Sequence, residues 1–450
     1  MVMALSAPGS LAGRQERFDR VLGELRHYLV LASLLVLVLR PFYISTLMVL
    51  GGVLSLLHIA RHHREIPLRR YWPLLLTVGY FLLSALSTWH GIIPNSAGSS
   101  IARRVPYVLI PLMLIDLSPR RSWGTALLLG ILCLDILLLL LTLRACFTLG
   151  PQGWEFSYLL AGCNPADYPL TFHNLFFSPQ SHFYYSTITE RLGLAYWPSY
   201  VGLGNLLGLL VVVSRLLRAR QRRWPFYASY AAVLAVLLFF LLLINSRTNL
   251  LGALLCLGVL TVWTLRWVRG WRRWVVFGLL GLCLTGLQFT RLNIANVGWS
   301  NFESFVEHDA RLHMWRETIT DAQHWSPWGV GAGGARRYLA ARCASNLADY
   351  RQDNVSRGVV QKVHNEFLEA FLELGYPGGL YLLGIFLLPL LRLRRFPVES
   401  LCLFGALGVL MCFESLGPLT QSIMLLAWVY NLAWLYGISS WHDPADAEGL

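Results

Sequence analysis

The sequence predicts an all-α polytopic membrane protein of about twelve transmembrane helices, with a small helical cap built from a long late loop. Three observations predict it. Of 450 residues, 56% are apolar or aromatic and only 14% are charged, against about 25% charged in soluble domains. The apolar residues gather into runs close to the roughly 20 that cross a bilayer. The charged residues gather between the runs, with arginines in every second connection. A water-soluble enzyme, a disordered chain and a secreted disulfide scaffold are excluded on composition alone.

The first 24 residues carry Arg14, Arg17 and Arg20 and no small-residue cleavage site follows, so they read as a tail before an uncleaved first span. Five spans follow within 25–143, at 25–39, 42–60, 71–89, 105–117 and 123–143. A first long outer loop takes 144–195. Four spans fall in 196–290, at 196–214, 226–245, 248–265 and 274–290. A second, larger outer loop takes 291–365, and helix-like stretches at 311–323 and 336–350 make it a small cap. Three last spans lie in 366–438, at 366–390, 398–415 and 420–438, before a tail at 439–450. Loops this long are usually functional.

The net charge of +13 suggests an anionic partner until the arginines are placed. Twenty-two of the 37 basic residues fall in six segments. These are the first segment up to Arg26, then 61–70, 118–122, 215–223, 266–273 and 391–395. The positive-inside rule puts all six in the cytoplasm, with both termini inside. Most of the surplus is therefore orientation, and chemistry is to be sought on the other side.

Eight cysteines are present. Cys133, Cys256, Cys283, Cys402 and Cys412 lie within spans, as small core residues do. Cys146, Cys163 and Cys343 face the oxidising side, where a Cys163–Cys343 bridge could tie the two outer loops.

Three polar places on the outer side stand out. Arg191 follows Glu190 just before span 196–214; it reads as an interfacial arginine that snorkels or as a planar fork that grips phosphate. Arg247, in Ile244-Asn245-Ser246-Arg247-Thr248-Asn249, occupies a short turn between two spans. It reads as part of a polar hairpin or, against the topogenic trend, as an anion contact. His364 stands at the entrance to span 366–390, and an imidazole with an ordinary value near 6.5 suits a general base. Behind it Glu366, Glu369 and Glu373 share a helix face inside an apolar segment. Gly329, Gly331 and Gly334 match G-x-G-x-x-G, but no strand precedes them, so a tight turn is the better reading than a nucleotide site. Glu307-His308-Asp309 lacks a second cluster of metal-ligand spacing, and no metal or cofactor is expected. There is no H-E-x-x-H, P-loop or G-x-S-x-G.

The late motifs carry a resemblance. Arg311 with Trp315 forms R-x-x-x-W, and Pro327 to Gly331 reads P-W-G-V-G. His364, Asn365, Leu368, Glu373, Gly375 and Gly378 read H-N-x-x-L-x-x-x-x-E-x-G-x-x-G. With Arg191 and Arg247 upstream, this order resembles the O-antigen ligase and polymerase superfamily of bacterial envelope glycosyltransferases, over most of 190–390. The resemblance implies a multi-pass inner-membrane enzyme with its site facing the periplasm. It would take a glycan from an undecaprenyl-diphosphate carrier and transfer it to a sugar hydroxyl, on lipid A–core in a ligase or on another glycan in a polymerase. His364 would be the base, Arg191 and Arg247 would hold the diphosphate, and Asn365, Glu373 and Arg311 would support them. No metal, cofactor or nucleic acid is implied. The sequence departs from the family at Trp197-Pro198-Ser199, where many relatives carry a Gly/Asp-Pro-Asn segment. A lipid-linked glycan transporter would share the span count but should show internal repeats, and none is found. A histidine acyltransferase would need an inner-side donor site, where only short loops exist.

Overall fold

The computed structural model describes residues 11–37, 41–89, 97–150, 153–156, 198–218, 224–244, 246–267, 272–289, 310–320, 326–335, 337–339, 363–389, 391, 396–414 and 420–442. Every apolar run expected to cross the membrane holds a helix. These are α1 (Leu11–Val36), α2 (Pro41–His62), α3 (Trp72–Ser87), α5 (Pro106–Leu114), α6 (Arg121–Cys146), α7 (Pro198–Arg218) and α8 (Trp224–Leu243). They continue as α9 (Arg247–Trp267), α10 (Arg272–Phe289), α12 (Glu366–Leu387), α13 (Val398–Phe413) and α14 (Thr420–His442). Two shorter helices, α4 (Ala97–Arg104) and α11 (Ala310–Thr320), lie between them.

Among the described residues six helices (α2, α6, α7, α8, α9 and α12) are long and apolar enough to cross a bilayer, and α3, α13 and α14 are shorter apolar helices. Large apolar side chains point outward, as on α2 at Val49, Leu50, Val53, Leu56 and Leu57. In water such a surface would be a liability; facing lipid it costs nothing. The protein is a multi-pass membrane protein.

Three local details go beyond the sequence reading. The first helix begins at Leu11, so much of the expected tail at 1–24 is helix continuous with span 25–39. Its polar residues find partners on neighbouring elements: Asp19 pairs with Arg61 at 3.3 Å, and Glu24 accepts two hydrogen bonds from Arg120 at 2.8 and 3.0 Å. The all-α architecture expected is found, with one local addition at the start of loop 144–195, where β1 (Phe147–Gly150) pairs antiparallel with β2 (Gly153–Phe156). Aromatic and β-branched residues flanked by two glycines favour a hairpin there. Run 105–117 holds only the nine residues of α5, because Pro106 opens the helix afresh after α4.

The helices close around one large apolar core in which Trp123, Trp428, Trp434 and Tyr430 are fully buried. α9 packs against α13 and α10, α1 against α2 and α6, and α12 against α3 and α13. Where α6 crosses α1 the contact is intimate: a Cβ on Gly130 would lie 2.1 Å from the Leu35 carbonyl oxygen, the close approach that small residues permit between membrane helices.

The two ends of the bundle differ in chemistry. One end gathers the Asp19–Arg61 and Glu24–Arg120 pairs, with Arg26 bonded to Ser55 and to the Ile115 carbonyl. There too Arg215 donates to Thr125 and Tyr230, and Ser214 to Glu399. The opposite end gathers Arg104, Ser199, Arg311, His364, Glu373 and Glu414. A satellite core of Met314, Val330, Ala335, Leu339, Val363 and Leu372 lies at that second end, joining α11 and the segment 326–339 to the start of α12.

Candidate functional site

The site is built on a broken helix. α12 has helical geometry except at Gly375, with φ 67° and ψ −166°, and contains Pro377. Proline has no N–H to give to the carbonyl four residues back, so Glu373 O lacks its helical donor. At the same break Tyr376 N turns away from Leu372 O. Buried backbone groups must be paired, most of all within a membrane. The glycine-rich turn pairs them: Gly331 N donates to Glu373 O at 2.9 Å, Val330 N to Leu372 O at 2.9 Å, and Tyr376 N to Pro327 O at 3.0 Å. Gly329 and Gly375 both have positive φ, and a Cβ on either would strike the opposing backbone at 2.3 or 2.1 Å. The G-x-G-x-x-G match is thus a backbone turn, as expected, and it docks into a helix break that the sequence did not announce. Ala332 N also donates to Ser87 Oγ at 3.1 Å, fastening the turn to α3.

At the N-terminus of α12, Asn365 caps the helix, its Oδ1 accepting from Leu368 N at 3.0 Å. Its Nδ2 donates to Cys412 O at 3.1 Å, linking α12 to the end of α13. The residue before the cap is His364, one of two non-glycine residues with positive φ among those described, at 54°. On the other side Trp315 of α11 donates to Val363 O at 2.9 Å. His364 is therefore held from both directions, and its side chain remains partly exposed.

Sequence reasoning missed the group it faces. Glu414 ends α13, and its Oε2 lies 3.6 Å from His364 Nδ1. Its Oε1 accepts from Ser199 Oγ at 2.8 Å and from Arg311 Nη2 at 3.1 Å. Burial works to raise the Glu414 carboxyl, but contacts with His364, Arg311 and Ser199 outweigh it and hold the pKa below the ordinary 4.5. Ser199 belongs to the segment where the sequence departs from its relatives. Its carbonyl accepts from Asn249 Nδ2 at 2.7 Å, and the same Nδ2 is 2.9 Å from Ser246 Oγ.

The predicted residues fare unequally. The structure brings His364, Asn365 and Arg311 to one end of the bundle. Arg247 is the first residue of α9, between Ser246 and Asn249, which tie that helix start to Ser199; its side chain lies outside what is described. Arg191 lies outside the described residues, as do Cys163, Cys343 and Glu307 to Asp309. Glu366, Glu369 and Glu373 are all buried, at 3%, 5% and 3% exposure, on the shared face predicted for them. Glu373, expected to support the histidine, instead accepts a charged hydrogen bond from Arg104 of α4, itself 3% exposed. Arg104 was the second residue missed. Among the described residues no cluster of three metal-ligating side chains forms.

Chemically, the arrangement offers an imidazole with a carboxylate on one nitrogen, an arginine beside it, and helix N-termini around it. α7, α9 and α12 all begin at this end, and each N-terminus carries partial positive charge favouring an anion.

No curated protein matches the chain. Residues 231–383 match the family model described as O-antigen ligase. The matched segment runs from within α8 to within α12 and so takes in Arg247, Arg311, the glycine turn and His364, while Arg191 and Glu414 fall outside it. Over that third of the chain, this multi-pass membrane protein is similar to the O-antigen ligase family.

Proposed function

We propose that the protein is a membrane glycosyltransferase that moves a glycan from undecaprenyl diphosphate to a sugar hydroxyl on the periplasmic side. We read it as an O-antigen ligase joining O-antigen to lipid A–core in lipopolysaccharide biosynthesis. The observation that carries the reading is His364, held at the bundle end opposite the arginine-rich connections, beside Arg311 and at the start of three helices. Under the positive-inside rule that end faces the periplasm of the bacterial inner membrane, with twelve crossings and both termini in the cytoplasm.

In this reading His364 takes the proton from the acceptor hydroxyl as its oxygen attacks the anomeric carbon. The bond from that carbon to the diphosphate oxygen breaks, and negative charge grows on the leaving group. Arg191 and Arg247, with the N-termini of α7 and α9, stabilise that charge without need of a metal, and Arg311 supports them. The polyprenyl chain stays in the bilayer beside the helices, so chemistry at the interface suits a lipid-borne donor.

The test uses purified protein in nanodiscs, a polyprenyl-diphosphate-linked glycan and lipid A–core. Transfer that needs no nucleotide, survives chelation and is lost in His364→Ala supports the reading. Full activity in His364→Ala sinks it. Elongation of the lipid-linked glycan in place of transfer to core would make the protein a polymerase of the same superfamily.

A further inference from the structure

We infer that Glu414 is the positioning residue of the transfer: it orients the His364 imidazole with Nδ1–H toward itself, leaving Nε2 as the base, and stabilises the imidazolium that forms. The inference rests on the reading of His364 as base and adds a residue outside the matched segment.

Three costs converge on Glu414. Its side chain is 12% exposed, and a carboxylate removed from water must be paired. It stands at the C-terminal end of α13, where the helix dipole disfavours negative charge. Its neighbour His364 has a positive φ that a side chain adopts at a cost of about 1 kcal/mol or more. Packing alone requires none of these, and an apolar residue in place of Glu414 would avoid two of them.

The contacts show what the arrangement achieves. Nδ1 of His364 is buried and has no hydrogen-bond partner among the described residues, and Glu414 Oε2 lies 3.6 Å from it. A buried ring nitrogen facing a carboxylate is best protonated, which fixes the tautomer and leaves the lone pair on Nε2. Catalytic hydrogen bonds are often this long before substrate binds. The opposite oxygen of Glu414 is anchored by Ser199 and Arg311, so the carboxylate cannot rotate away. Asn365 bonds Cys412 O two residues before Glu414, and the two backbones therefore move together. Through the Ser199 carbonyl and Asn249 the same carboxylate is linked to the start of α9, which carries Arg247. One group sets the register between the base and a helix assigned to the diphosphate.

The proton balance is simple. The acceptor hydroxyl gives its proton to Nε2, Nδ1 keeps its own toward Glu414, and the imidazolium later releases the Nε2 proton to water or to the departing diphosphate. Glu414 remains ionised throughout.

The experiment compares wild type, Glu414→Gln, Glu414→Asp and His364→Ala in the nanodisc transfer assay across pH, with thermal unfolding of each. Glu414→Gln should lower kcat by about 100-fold, lower the donor KM and not raise it, and move the acid limb of kcat/KM to lower pH by about one unit. Glu414→Asp should restore part of kcat. A carboxylate that only packs would lower activity equally at every pH without moving the limb, and that result overturns the inference. Should Glu414→Gln fail to fold, ¹⁵N-histidine spectra of the wild type decide: the Nδ1–H tautomer at His364 supports it and the Nε2–H tautomer overturns it. If His364→Ala keeps its activity, the glycosyltransferase reading itself has failed, whatever Glu414 does.

Discussion

Replacing Gly375 by alanine tests whether the helix break is made by two backbones in contact. At φ 67° and ψ −166° the residue occupies a region open essentially to glycine alone, where a side chain costs about 1–3 kcal/mol. The new Cβ would lie 2.1 Å from Pro327 O and 2.6 Å from both Gly329 N and Trp328 C. These are backbone atoms and cannot rotate aside, so the turn must leave α12. It would give up the bonds from Val330, Gly331 and Tyr376, each worth about 0.5–1.5 kcal/mol net. Strain and lost bonds together amount to roughly 3–7 kcal/mol, a large share of an ordinary folding stability. The measurement is thermal unfolding in nanodiscs with proteolysis of the 326–339 region and transfer activity. Gly384→Ala, in the same helix with nothing within 4 Å of its Cβ, is the control and should be neutral or slightly stabilising. If Gly375→Ala melts with the wild type and resists protease equally, the close-contact account of the break is wrong.

Two further outcomes follow from the ionic groups at the same end. Arg104→Met leaves Glu373 buried without its cation and should cost about 3–5 kcal/mol, whereas Arg104→Met with Glu373→Leu should recover most of the loss; a double variant no more stable than the single one would show that the pair does not act as a unit. For Glu414 the sign is set by a folded pKa held below the ordinary 4.5, burial opposing and His364, Arg311 and Ser199 prevailing. A depressed carboxylate adds stability above its unfolded value and loses it as pH falls through the folded one. The melting temperature should therefore hold from pH 7 to about 5 and fall below about 4.5, more shallowly in Glu414→Gln; parallel curves would refute that account.

What the sequence revealed and what it hid divide along contact distance. The apolar runs were legible because hydropathy over 20 residues is a local property, and so was the place of His364 at the entrance to span 366–390. The glycine turn was legible as a turn, but not as the partner of the break at Gly375 and Pro377, about 45 residues away. Arg104 looked like one more basic residue beside a short span; its value lies in Glu373, 269 positions later. Glu414 was hidden by its setting in Cys412-Phe413-Glu414-Ser415, the tail of an apolar run taken as span 398–415. A lone acidic residue at a span end is ordinary, and only the approach of α7, α11 and α12 gives it three partners. The early helical start at Leu11 was missed because its support comes from α2 and from Arg120.

A carboxylate at the centre of a site proposed for a diphosphate is, on its face, a contradiction. Charge counting resolves it. Glu414 already has Arg311 as a charged partner at 3.1 Å, so the pair is close to neutral toward an incoming anion. What remains for that anion is Arg247 at the head of α9, together with the N-termini of α7, α9 and α12, each equivalent to about half a positive charge. Neutralising Glu414 would instead make the surroundings of His364 more positive, strengthening donor binding while disfavouring the imidazolium on which proton removal depends. Tighter holding of the ground state with a weaker base is a poor exchange for a catalyst, since only interactions that grow in the transition state raise kcat. The carboxylate therefore serves turnover at the expense of binding, and a Glu414→Gln protein that bound donor more tightly and turned over more slowly would display that division directly.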